Sequence, residues 1–333
     1  EEIKMRKYLL STSALAGAAL LSSTAIADVT ISGYSEFGYN QNDHNVALYD
    51  GTNQSLDQEV HIKFTNKTDS GLTITAMNEF STHDGTADDV YMTISGGFGS
   101  LKMGDSDSVA SGYDFNALDL IQEESGGTLS TTATTGIATI STDSSIGGDN
   151  TRNISYSIPA VGGLTAGISM GTSETLTGDD DFTAFGVAYA LEANGANVTV
   201  GYASSTKEGT TDTDRTSIGV KIAYGDITFE AGSGNYEADD EDRSNQSGGL
   251  TYKLSDTLSV GFASAKSEDD LDAGEEYEAT HYEAVYTVAS GLTAVVTVSD
   301  FDYKAGTASD NSGGGTTGDY NGTTTQLKLK AAF

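Results

Sequence analysis

The chain has 333 residues, with 16 Lys+Arg against 49 Asp+Glu, a formal net charge of -33, 40 Gly, 1 Pro and neither Cys nor Trp. Leu, Ile, Val and Phe together make up just under a fifth of it, which at that charge is the composition of a chain unable to bury an ordinary core. The same figures exclude a bundle of membrane helices, which needs repeated apolar runs of about 20 residues, a disulfide scaffold, and a nucleic-acid partner, whose phosphates an acidic surface repels.

The chain opens with a targeting pattern. Arg6 and Lys7 are a positive start, Leu9 to Leu21 form a short Ala-rich apolar stretch, and Ala25-Ile26-Ala27 is a small-x-small cleavage site before Asp28. This reads as a secretory signal peptide, too short to span as a helix. Glu1 to Lys4 read as residues upstream of a start at Met5. Residues 1–27 are thus expected to be removed, leaving 28–333 as the folded unit.

From Asp28 onward, apolar and polar residues alternate in segments of about ten residues, separated by Gly/Asp/Asn/Ser/Thr clusters. Val60, Ile62 and Phe64 alternate with Glu59, His61 and Lys63; Ile218, Val220 and Ile222 alternate with Ser217, Gly219 and Lys221. Sixteen strands are predicted, near 29–40, 56–66, 71–81, 88–96, 99–105, 151–159, 163–173, 181–192, 195–205, 214–224, 226–237, 245–254, 257–267, 277–288, 291–301 and 321–333. Their connections are short turns and long polar loops in alternation, the longest loop being 106–150. One trim end and one elaborate end mark an outer-membrane barrel. Ten tilted residues cross its apolar band, and closure leaves no unpaired backbone edge in lipid. Lys63, Lys102, Lys221, Lys328 and Lys330 all fall on the inward parity, so none meets lipid, where each would cost about 2–4 kcal/mol at the midplane. The expected fold is all-β, a 16-stranded antiparallel transmembrane barrel wide enough for an aqueous channel.

Three stretches carry a resemblance. Val90 to Asp105, with Gly96-Gly97-Phe98-Gly99 at its centre, resembles the fourth and fifth strands of the sixteen-stranded general porins of Gram-negative outer membranes. Arg152 to Pro159, followed by Gly162 and Gly163, is similar to the sixth strand and its turn; Leu327, Leu329 and the final Phe333 resemble the barrel-insertion signal. The likeness covers nearly all of the expected mature chain. Many relatives carry Arg where Ser155 stands here, so wall charge at that point is weakened or moved. The resemblance implies a homotrimer in outer-membrane lipid and lipopolysaccharide, and a third loop folded into each lumen. That placement also accounts for a loop of such length.

The loop supplies candidate acids for a pore constriction: Asp105, Asp107, Asp114, Asp119, Glu123 and Glu124. Candidate bases on the facing wall are His61, Lys63, Lys102, Lys328 and Lys330, from strands two, five and sixteen, which are contiguous once the barrel closes. Opposed rows would set up a transverse field that favours small hydrophilic solutes. Read singly, a loop acid is more often solvated surface than part of a constriction, and each base could pair with a nearby carboxylate or line the periplasmic vestibule. No catalytic residues and no cofactor are expected. The acid runs Asp179-Asp180-Asp181, Asp239-Asp240-Glu241-Asp242 and Glu268-Asp269-Asp270 lie on expected outer loops and suit Ca²⁺ or Mg²⁺. Passive, cation-preferring diffusion is the expected function. The rivals are a substrate-specific channel, a surface adhesin and a barrel enzyme, the last needing a Ser–His pair that the pattern of His44, His61, His83 and His281 does not supply.

Overall fold

The computed structural model describes residues 28–45, 50–81, 87–122, 152–172, 181–209, 212–238, 241–271, 274–304 and 319–333. Its first four strands are β1 (Asp28–His44), β2 (Gly51–Lys67), β3 (Thr73–Ser81) and β4 (Ala87–Gly96). The next four are β5 (Gly99–Asp105), β6 (Arg152–Ser157), β7 (Leu164–Thr172) and β8 (Asp181–Ala193). Then come β9 (Ala196–Glu208), β10 (Thr213–Tyr224), β11 (Ile227–Ala238) and β12 (Glu241–Lys253). The last are β13 (Leu258–Asp269), β14 (Glu276–Ala289), β15 (Leu292–Lys304) and β16 (Tyr320–Ala332).

Each strand pairs antiparallel with its sequence neighbours, and β1 pairs with β16 to close the barrel. The seam runs to the last residue: Gly33 N–H donates to Phe333 O at 2.9 Å, and Phe333 N–H donates to Gly33 O at 3.0 Å. In lipid each unpaired backbone group costs several kcal/mol, so these two bonds close the edge where the chain ends meet. Every predicted strand is present. The larger differences lie mainly at the elaborate end: β1 runs on to His44, β9 to Glu208, and β12 begins at Glu241. Ladder bonds continue there through polar residues, whereas apolar alternation marks only the band that touches lipid.

Trim-end turns are tight. Asn194 and Gly195 take φ of 53° and 81° between β8 and β9, the positive angles that a two-residue hairpin turn needs and Asn-Gly tolerates best. Nearby, Tyr189, Tyr224, Tyr252 and Tyr286 project from the outer face of β8, β10, β12 and β14, as an aromatic girdle at a membrane interface would. Between girdle and loops the outer face is apolar: Ile154 is 57% exposed, Met170 58% and Ile218 56%. Packing cores in the usual sense are small and lie inside. Ala110, Phe182, Ala184 and Ala203 form one with Tyr113, and Ala117, Ile121 and Ala263 form another with Leu118.

Ile218 stands near the middle of β10 on that outer face. Ile218→Arg is therefore expected to lower the folded stability by about 2–4 kcal/mol, read by urea unfolding in bilayers. A like change at Thr199, on the inward parity of β9, is expected to cost far less.

Candidate functional site

The segment after β5 stays inside the barrel and follows its wall. It forms two 3-10 turns, Val109–Tyr113 and Ala117–Leu120. The first packs on β6 to β9 and the second on β11 to β13. The contacts advance around the wall almost strand by strand. Val109 N–H donates to Ser169 Oγ on β7 at 2.7 Å. Tyr113 packs over Gly186 of β8 and Gly201 of β9; burial there pushes its phenol above the ordinary pKa and keeps it neutral. Asp114 accepts from Ser217 Oγ on β10. Ala117 N–H donates to Ser247 Oγ on β12 at 3.0 Å, and Gln122 N–H to Glu283 Oε1 on β14 at 3.1 Å. Gln122 O then accepts from Lys328 Nζ on β16 at 3.3 Å.

Glycines make this path possible. Gly167, Gly186, Gly201, Gly219 and Gly232 are all inward on β7 to β11, and several are direct cross-strand partners: Gly167 with Gly186, Gly201 with Gly219, Gly219 with Gly232. A Cβ on any of them would overlap Val109, Tyr113 or Phe115 of the loop. Mid-strand glycine weakens a strand and marks close approach of another backbone; here the visitor is the third loop. The sequence reading missed this belt, although the glycines stand in the inward register in plain view.

The candidate acids separate by location. Asp107 and Asp119 are exposed on the loop, and Asp114 faces β10 through Ser217. Asp105 shares the parity of Leu101 and Met103, which is outward, and pairs with Arg152 at 3.0 Å at the strand ends. Strand alternation thus takes it off the lumen face. Glu123 and Glu124 lie outside the described residues, as does His83.

All five candidate bases are inward, but they do not make a purely basic wall. His61 Nε2 lies 2.8 Å from Glu59 Oε2. Lys328 pairs with Glu36 at 3.0 Å, and Lys330 binds the same carboxylate while sitting 4.2 Å from the Tyr34 ring centroid. Lys102 donates to Asp107 O at 2.9 Å and lies 5.2 Å from the Tyr91 ring centroid. Lys63 faces inward beside Met77. Interleaved with them on the same inward face are Glu36, Asp57, Glu59, Glu79 and Asp89. These carboxylates share the parity of the lysines, and the sequence reading had overlooked them. It had also overlooked Arg215 and Arg243, which stack on Tyr236 from either side at 4.9 Å each, toward the outer ends of β10 to β12.

Ser155, the position where the resemblance leads one to expect Arg, is buried on β6. It donates to Asn153 Oδ1 at 2.6 Å and lies 2.7 Å from Ser169 Oγ, the acceptor of Val109 N–H. A small hydroxyl here seats the loop. Of the outer acid runs, Glu268 pairs with Lys266 at 2.6 Å, and Asp270 N–H donates to Asp242 O; Asp179, Asp180, Asp239 and Asp240 lie outside the described residues.

A closed sixteen-strand barrel with a loop laid along half of its inner wall defines a membrane channel. The Gram-negative porin family profile matches residues 11–330, and the chain belongs to that family. It is an outer-membrane channel for small solutes. Solved structures of the same fold include an anion-selective porin from Comamonas acidovorans, at 17% identity and TM-score 0.66, covering 92% of this chain and 100% of that one. The trimer form of OmpT from Vibrio cholerae matches at 12% identity and TM-score 0.65 over 92% and 99%. The outer-membrane channel DcaP of Acinetobacter baumannii matches at 10% identity and TM-score 0.65 over 92% and 97%. A search of the curated proteins found no match.

Gly219 and Gly232 both lie against Phe115 O. Gly219→Val is expected to lift the loop from the wall, lowering stability by about 1–3 kcal/mol and changing single-channel conductance. Val220→Leu, on the outward face of the same strand, should leave the current unchanged.

Proposed function

We propose that the protein is a passive diffusion porin that prefers cations, working as a homotrimer. The observation that carries the preference is the make-up of the wall formed by β1 to β5 and β16. Glu36, Asp57, Glu59, Glu79 and Asp89 stand among Lys63, Lys102, Lys328 and Lys330 on its inward face, and Asp107 and Asp119 are exposed on the loop. Two of the lysines share one carboxylate, which reduces their pull on anions. In a narrow lumen with low-dielectric walls, a surplus of fixed negative charge raises the local cation concentration. Alternating signs along the wall also order water and favour dipolar solutes over apolar ones.

Support for assembly comes from the outer face. Ser35, Gln58 and Asn78 of β1 to β3 point outward between apolar neighbours, with Gln58 Nε2 donating to Ser35 Oγ at 2.7 Å. Polar side chains are disfavoured against lipid but suit a protein neighbour. The same reading sets lipopolysaccharide against the acidic outer loops, where Ca²⁺ or Mg²⁺ would bridge carboxylate to phosphate.

A channel is favoured over a barrel enzyme. His281 Nδ1 does lie 2.8 Å from Ser299 Oγ across β14 and β15, a pair that the sequence pattern did not reveal. Both residues are 1% exposed, so substrate has no route to the pair.

Under a KCl gradient across a planar bilayer, the zero-current potential is expected to take the sign of cation preference; a clear anion preference would overturn the reading. Glu36→Gln removes the carboxylate shared by Lys328 and Lys330 and should shift that potential toward anions. For assembly, a nitroxide on Gln58→Cys is expected to be shielded from oxygen dissolved in the membrane, while one on Ile218→Cys is open to it. The absence of native Cys makes the labelling specific, and equal exposure of the two labels would argue against the trimer face.

A further inference from the structure

On the wall beside the start of the loop, and clear of the two 3-10 turns among the described residues, β2 and β3 bring an imidazole and two carboxylates together. Glu59 and His61 are two apart on β2 and therefore share its inward face, and Glu79 of β3 is the direct cross-strand partner of His61. One ligand atom from each lies within 4.8 Å of the other two. All three are half-buried. The Tyr34 ring packs edge-on against the imidazole at 6.2 Å, while its hydroxyl donates to Asp57 Oδ2 at 2.8 Å. The three donors sit on paired strands of a closed sheet, so side-chain rotation alone brings them together; zinc bonds of about 2.0–2.2 Å put tetrahedral ligand atoms on the order of 3.4 Å apart.

We propose that Glu59, His61 and Glu79 form a binding site for a borderline transition-metal dication, with Zn²⁺ as the representative ion. The donor set selects the class. An imidazole nitrogen suits zinc, nickel and copper, whereas Ca²⁺ takes six to eight oxygens and Mg²⁺ a near-ideal octahedron of them. Two carboxylates offset the charge of the ion. Asp57, Asp89 and Asp107 add negative potential nearby, against Lys63 and Lys102 on the same wall. Because these residues face the lumen, a bound dication would replace local negative charge on the wall past which permeating cations travel.

The effect on current rests on the channel reading, and binding itself does not. Calorimetry on the folded protein in detergent, titrated with ZnCl₂, is expected to show one saturable zinc per protomer. His61→Gln and Glu79→Gln are each expected to raise the dissociation constant at least about tenfold, since even partners outside the ligand set are worth that much. In planar bilayers, zinc should lower the cation current of the parent protein, and MgCl₂ at the same concentration should not. Metal-free conductance of each variant reports that its barrel has folded. Equal zinc affinity in His61→Gln, no saturable zinc binding, or equal block by Mg²⁺ would overturn the site. A protein that binds zinc in calorimetry but passes no current without metal would keep the site and overturn the channel.

Discussion

Backbone hydrogen bonding in an apolar phase is the constraint on which the rest of this structure depends. Hydrocarbon offers no partner for N–H or C=O, so a strand in it must be paired on both edges. A closed antiparallel sheet meets that demand, and it sets much else. Neighbour-to-neighbour pairing means that each connection returns directly, and the even strand number puts both ends of the barrel chain at the trim rim. The final residue is thereby drawn into the seam, where Phe333 and Gly33 exchange two bonds. Pairing also fixes which side chains meet lipid, since alternate residues take opposite faces.

A barrel of this size would be a wide tube without its third loop. The loop carries backbone donors of its own into the interior, and the wall satisfies several of them with Ser169, Ser247 and Glu283. The glycine belt lets it run flush against β7 to β11 and so occupy one side of the lumen. Among the described residues the two 3-10 turns leave β1 to β5 uncovered, and with β16 these strands carry most of the charged inward side chains. Narrowing and charge placement are thus two consequences of one packing event.

On that sector the acids and bases are neighbours, and the wall works as a patterned surface. A lysine between carboxylates exerts less pull on a passing anion than an isolated one, because the pair presents a dipole where a lone lysine presents a net charge. The unmatched acids then weigh more in selectivity than the number of lysines suggests. The same interleaving brings His61 between Glu59 and Glu79, so that selectivity and metal affinity draw on one set of carboxylates. A charge change on this wall acts on both.

The amino-acid order by itself determined the strands, their number, the face each residue takes and the closed topology. It could do so because lipid imposes a two-residue period on each spanning segment, and a local pattern repeated sixteen times is legible without knowledge of distant contacts. The inward register of Lys63, Lys102, Lys328 and Lys330 was legible for the same reason. Only the tertiary structure decided what those side chains meet. Glu36 and Lys328 are 292 positions apart and pair because β1 closes on β16; Asp105, whose outward parity in β5 was there to be read, meets Arg152 because β5 pairs with β6 across the whole loop. The route of residues 106–122 has no period at all, since each step answers to a different strand, and the glycines that accommodate it acquire their meaning only when the loop is seen lying on them. Lipid contact is a local condition that each strand records in its own residues, whereas the lumen is formed by the meeting of segments far apart in the chain.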